Sequence, residues 1–166
     1  MRWIWIDRFT GFEPGRWAEA VKNVTLAEPY LHDSAPWYPT LPRTLIIEGV
    51  AQTGGVLVGQ PNAYRSNVIL AKITRAVFYG DAEAGWQLVY HTEMVECQPE
   101  GARIKGRVTC EGRLIAEVEL MYVHLDDQAL PAGAAPSFVF DGIFRLLMQL
   151  NPCIAPPKNL SEGEGP

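Results

Sequence analysis

The stretch EPYLHDSAPWYPTLPRTLIIEGVAQTGGVL, Glu28 to Leu57, decides the fold. Its first half holds Pro29, Pro36, Pro39 and Pro42, a density that blocks helix and central strand alike. The chain there must be an ordered coil or a mobile flap. Its second half reads as a helix. Pro42 suits a first-turn position, where a missing N–H costs nothing. Leu45, Ile46, Ile47, Val50, Ala51, Val56 and Leu57 leave no polar face, and a helix apolar all round is a buried one. Gly49, Gly54 and Gly55 would be costly in an exposed helix. In a buried one they let a sheet or a second helix approach closely. The helix should end near Gly59, with Pro61 beyond it. That run carries two long polar side chains, Glu48 and Gln52, one turn apart on one face. A carboxylate there is either a satisfied core group or a site.

Outward from the helix, the chain reads as strands. Trp3 to Phe9 and Trp17 to Thr25 look extended, with a turn at Glu13, Pro14 and Gly15 between them. Ser66 to Tyr79 and Trp86 to Cys97 are rich in β-branched and aromatic residues. QPEG, Gln98 to Gly101, is a turn. Then Ile104, Gly106, Val108 and Cys110 alternate with Arg103, Lys105, Arg107 and Thr109. Glu111 and Gly112 turn the chain back. Leu114 to Val123 repeats the pattern, with Ala116, Val118, Leu120 and Tyr122 facing in. One-sided strands belong to an antiparallel sheet with one covered face, and the single long helix is the obvious cover. The fold class is α+β: about six strands wrapped around one buried helix.

The totals agree with one domain and a tail. The chain has 166 residues, 48% of them apolar, enough for a real core. A net charge of −5 argues against a nucleic-acid partner. No apolar run approaches the ~20 residues that span a bilayer, so no membrane is expected. The N-terminus lacks a secretory pattern. Cys97, Cys110 and Cys153 form neither a disulfide framework nor a zinc pattern, which suits a reduced, cytoplasmic protein with no metal and no cofactor. The domain is expected over 1–125. After Leu125 the composition becomes a linker, then a short helix capped by Asp141 with Ile143, Leu146, Leu147 and Leu150 in a stripe, then a polar end, together a C-terminal extension over 126–166.

Several of these segments together resemble a known family. IDRFTGFEPG, VKNVTLAEPY, LPRTLIIEGVAQTGG and GRVTCEGRLIAEVELMYV resemble, in order, the opening, second, central-helix and final-hairpin motifs of the 3-hydroxyacyl-acyl-carrier-protein dehydratases, the FabZ/FabA group. The likeness covers about Trp5 to Leu125. It implies the hot dog fold, a dimer or higher oligomer, and fatty acid biosynthesis as the setting. The substrate it implies is an acyl thioester on acyl carrier protein or coenzyme A. In that family a loop histidine of one subunit removes a proton alpha to the thioester carbonyl. A helix carboxylate of the other protonates the departing 3-hydroxyl, and a backbone N–H at the helix start polarises the thioester oxygen.

The resemblance carries over unevenly. Glu48 falls on the family's carboxylate and Gln52 on its helix glutamine. Arg43 replaces a glycine at the helix start; its N–H remains, but its side chain would crowd the entrance. Ser34 stands where the catalytic histidine belongs, and Trp37 either fills the altered loop or packs the acyl channel. His32 lies two positions early, ~6.6 Å along an extended chain. Serine cannot replace an imidazole without a base of its own. Three readings stay open: a dehydratase with a rearranged base, a non-catalytic thioester binder, or a heterodimer subunit that supplies Glu48 to a histidine-bearing paralogue. His91 and His124 read as structural. Arg103, Lys105 and Arg107 read as a solvated sheet face, with an acidic carrier protein as the alternative contact.

Overall fold

The computed structural model describes residues 4–28, 31, 39–62 and 67–125. The short helix and tail expected after Leu125 therefore lie outside the described residues. Six strands form one sheet: β1 (Arg8–Glu13), β2 (Trp17–Asn23), β3 (Asn67–Phe78), β4 (Gln87–Gln98), β5 (Gly101–Cys110) and β6 (Arg113–Leu125). Their order is β1-β2-β4-β5-β6-β3, and every neighbouring pair is antiparallel. The helix α1 (Arg43–Gly59) touches β2 to β6, and a 3-10 turn (Gln60–Asn62) follows it. Six strands and one covering helix are the expected arrangement.

The alternation in β5 and β6 sets the inner face. Ala102, Ile104, Val108, Cys110, Ala116, Val118, Leu120 and Tyr122 are buried against α1, while Arg103, Lys105 and Arg107 point to solvent. Ile115 is the extra residue of a bulge opposite Val108 and Thr109, and is buried as well. Glu111 and Gly112 both take positive φ, as a two-residue hairpin turn of the primed type requires.

The helix approaches the sheet very closely. A Cβ on Gly49 would lie 2.4 Å from the Tyr90 ring, and one on Gly54 would lie 2.6 Å from Cδ1 of Ile104. Gly55 departs from expectation, because a Cβ there would meet only Cε1 of Tyr122 at 3.9 Å. Thr53, the one polar residue buried deep in the helix, donates its hydroxyl to the Gly49 carbonyl.

Two expectations need correction. The first strand runs over Arg8–Glu13, not Trp3 to Phe9. Trp5 and Ile6 are both buried although adjacent, which a one-sided strand does not allow. The Trp5 N–H is used by a side chain of α1 instead of a ladder. The second correction concerns the helix, which is not dry along its whole length. Arg43 and Thr44 are exposed, and Leu45, Ile47, Glu48 and Gln52 are half-buried. The sheet covers α1 fully only from Gly49 onward, Gln52 excepted.

Candidate functional site

Leu45, Glu48 and Gln52 stand at helical spacing, so they share the stripe of α1 that the sheet leaves uncovered. Glu48 is half-buried there. Nε2 of Gln52 donates to Oε1 of Glu48 at 2.9 Å. Oε1 of Gln52 in turn accepts the main-chain N–H of Trp5 at 2.7 Å. The amide has one donor end and one acceptor end, and both are engaged.

Behind this chain lies a buried charged pair. Lys22 on β2 and Glu28 in the turn beyond it are both nearly inaccessible, and the ammonium bonds Oε1 of the carboxylate. Nζ of Lys22 also sits 5.2 Å from the centroid of the Trp5 ring and 3.9 Å from Oδ1 of Asp7. The sequence reading places Trp5 in a strand and gives Lys22 and Glu28 no role. The signal available in VKNVTLAEPY was slight, a lysine and a glutamate six residues apart in a mixed polar and apolar stretch.

Under the helix, Tyr122 donates its hydroxyl to the Ala51 carbonyl at 2.8 Å. Burial pushes that phenol well above its ordinary range, and the charge of Glu48 adds to the shift. Tyr90, packed on Gly49, is raised in the same way by burial, then by Asp7 and Glu28. Both phenols stay protonated at any working pH.

At the helix start, Arg43 is tied down. Its Nε and Nη2 reach Oδ1 of Asp81 at 3.2 and 3.1 Å, and its guanidinium lies 5.3 Å from the Phe78 ring centroid. The first N–H groups of α1 have no acceptor within the helix, as at any helix start. His32, Ser34 and Trp37 lie outside the described residues. Just before α1, Thr40 bridges Glu83 and the Leu41 N–H donates to the Ala82 carbonyl.

The remaining candidates are away from α1. His91 stacks on Trp17 and lies near Glu19 and Glu93 on the outer face. Arg103, Lys105 and Arg107 pair with Glu96, Glu119 and Glu117. An open depression of about 350 Å³ on that face is lined by Arg75, Lys105 and Arg107 together with Glu93, Glu117 and Glu119. Basic and acidic side chains line it in equal number. The Tyr79 hydroxyl donates to Glu117, which holds that carboxyl below the usual range. Among the described residues no group of histidine, cysteine, aspartate and glutamate side chains could hold a metal ion.

Among the described residues, a single antiparallel sheet wrapped on one long helix defines the hot dog fold. The chain belongs to the FabA-like domain family, whose model matches residues 3–119. It is 33% identical over 122 residues to the 3-hydroxyacyl-[acyl-carrier-protein] dehydratase FabZ of Listeria monocytogenes, covering 73% of this chain and 85% of that one. The FabZ of Nitratiruptor sp. is also 33% identical, over 128 residues, with 73% and 86% covered. Among solved structures, the dehydratase heterocomplex ApeI:P from Xenorhabdus doucetiae superposes with a TM-score of 0.61 at 15% identity, covering 75% of this chain and 85% of that one. A Streptococcus mutans protein bound to acetyl CoA gives 0.58 at 11%, covering 71% and 87%.

Proposed function

We infer that the protein handles 3-hydroxyacyl thioesters, on acyl carrier protein or coenzyme A, at a site in which Glu48 is the acid. What supports this most is the placement of the carboxyl: half-buried, in the part of the helix ahead of its fully buried second half, and held by Gln52. In the reaction, a base removes the proton alpha to the thioester carbonyl and a carbon–carbon double bond forms. The bond to the 3-hydroxyl breaks, and Glu48 protonates the departing oxygen, which leaves as water. The carboxylate then recovers a proton from solvent as the base loses one. Helix-start N–H groups near Arg43 stabilise the charge that develops on the thioester oxygen.

The base is where this chain departs from its relatives, because Ser34 stands in the position of the family's histidine. Two features favour completion by a second, histidine-bearing chain. One is that substitution. The other is the exposed run from Ile69 to Arg75 on β3, an edge strand with Ile69, Leu70 and Ile73 open to solvent. Such an edge is a template for pairing with another sheet, in a homodimer or with a paralogue. The likeness to a dehydratase heterocomplex is of the same kind.

The test is dehydration of a 3-hydroxyacyl thioester by the chain alone, by its His32→Ala variant, and by the chain mixed with a histidine-bearing FabZ relative. General base catalysis contributes ~100- to 10,000-fold. The chain alone should fall short of the relative by that order, and mixing with a partner inactivated at its own carboxylate should restore turnover through Glu48. Strong turnover by the chain alone, abolished by His32→Ala, would make His32 the base and remove the need for a partner. Strong turnover unaffected by Glu48→Gln would refute the site.

A further inference from the structure

We propose that the main-chain amide of Trp5 is a positioning group for Glu48. It fixes which end of the Gln52 amide faces the carboxyl, and so fixes Oε2 as the oxygen that carries the acid proton. The inference rests on the reading of Glu48 as the acid.

A glutamine amide can turn over by half a rotation at little steric cost, exchanging its donor and acceptor ends. Next to a carboxyl group the two orientations are not equivalent. One presents N–H to the carboxyl, which then accepts. The other presents a carbonyl oxygen, which repels a carboxylate and bonds only a protonated acid. A main-chain N–H can only donate, so the Trp5 amide at 2.7 Å requires the carbonyl end of Gln52 on its side. The donor end is thereby left for Glu48, at 2.9 Å. Oε1 of Glu48 must accept in both protonation states, and a proton on the carboxyl resides on Oε2. When the departing hydroxyl takes that proton, the O–H bond at Oε2 breaks and the charge left on the carboxylate is shared with an oxygen already bonded to Gln52.

The amide can act this way because the Trp5 ring is buried and the main chain after it is fastened to β2. Its side chain is buried, with the Lys22 ammonium over the ring and Glu28 on that ammonium. Two residues on, the Asp7 N–H donates to the Val21 carbonyl, and Oδ2 of Asp7 accepts the Asn23 N–H. The segment from Trp5 to Asp7 is thus fastened to β2 at one end and to α1 at the other. A direct hydrogen bond from a segment this well fixed transmits position to the carboxyl in two steps.

The experiment reads couplings across hydrogen bonds in the perdeuterated, carbon- and nitrogen-labelled full chain, without substrate. The parent should show coupling from the Trp5 nitrogen to Cδ of Gln52, and from Nε2 of Gln52 to Cδ of Glu48. Trp5→Phe keeps the amide and should keep both. Trp5→Pro deletes the N–H and should lose the first and at least half of the second. Absence of the first coupling in the parent, or full retention of the second in folded Trp5→Pro, overturns the proposal. Should Trp5→Pro not fold, Gln52→Glu decides. It keeps an acceptor for Trp5 and removes the donor to Glu48, so the coupling from Trp5 to the side chain at that position must persist, and its loss overturns the proposal. A chain that never dehydrates a thioester refutes the functional reading and leaves these couplings unchanged, so the two failures can be told apart.

Discussion

Replacing Gly49 by alanine puts a methyl carbon 2.4 Å from Cζ, 2.6 Å from Cε1 and 2.7 Å from the hydroxyl oxygen of Tyr90. Carbon atoms rest at ~3.5–4.0 Å, so the overlap exceeds an ångström. Tyr90 has no room to yield: it is fully buried, and β4, which carries it, is paired on one side with β2 and on the other with β5. Overpacking costs ~1–3 kcal/mol, and an overlap this deep belongs at the upper end. Alanine gains about 1 kcal/mol over glycine in a helix. The expected net loss is about 2 kcal/mol. Gly55 in the same helix is the control, since its added methyl meets nothing closer than 3.9 Å. There the propensity gain stands alone and Gly55→Ala should stabilise by up to about 1 kcal/mol. Urea unfolding at one fixed protein concentration, compared at unchanged slope, reads both. A Gly49→Ala protein as stable as the parent would refute the close approach of helix to sheet. A Gly55→Ala protein that lost more than about 1 kcal/mol would show that its surroundings are not open.

Two further outcomes are expected. Lys22→Met leaves Glu28 buried with no cation, and breaking a buried ion pair from one side costs ~3–5 kcal/mol; a loss under ~1 kcal/mol by the same urea assay would mean the pair is solvated. Ile73→Lys places a charge in the exposed run of β3, where lysine opposes edge pairing, so light scattering at micromolar concentration should find the parent at least dimeric and the variant shifted toward monomer; an unchanged mass would move the interface elsewhere.

Much of the fold was legible because its signals are local and periodic. β5 alternates strictly and its burial follows residue by residue, and β6 does the same from Ala116 to Tyr122, beyond the bulge at Ile115. The helix bounds were marked by Pro42 and by the glycine and proline after Val58, and the observed helix starts one residue after that proline. The first strand was misplaced because Ile4 to Ile6 has strand composition without strand geometry. Composition registers that tryptophan and isoleucine are buried. It does not register that Trp5 and Ile6 are buried next to each other outside the ladder. Gly55 shows the same limit: a glycine beside Gly54 looks equally required, yet only one of the two faces the sheet at close range.

The site divides along a similar line. Glu48 and Gln52 stood out as polar side chains in an apolar helix, and side-chain type alone found them. What holds them did not stand out, because the partner of Gln52 is a main-chain N–H, a group that every residue but proline carries. Trp5 matters to that bond through its burial, which fixes where its amide lies, and through Lys22, whose charge is kept inside the protein by Glu28 and by the ring beneath it. Each of those residues has an ordinary structural explanation when taken singly. Joined by distance, they form one continuous path from a buried ion pair to the half-open carboxyl, Glu28 to Lys22 to Trp5 to Gln52 to Glu48. A group on the uncovered stripe of a helix would ordinarily sample several rotamers, at a cost of ~1 kcal/mol or more to fix. Here that ordering is supplied by packing already present in the core, so a half-buried carboxyl can still hold one orientation.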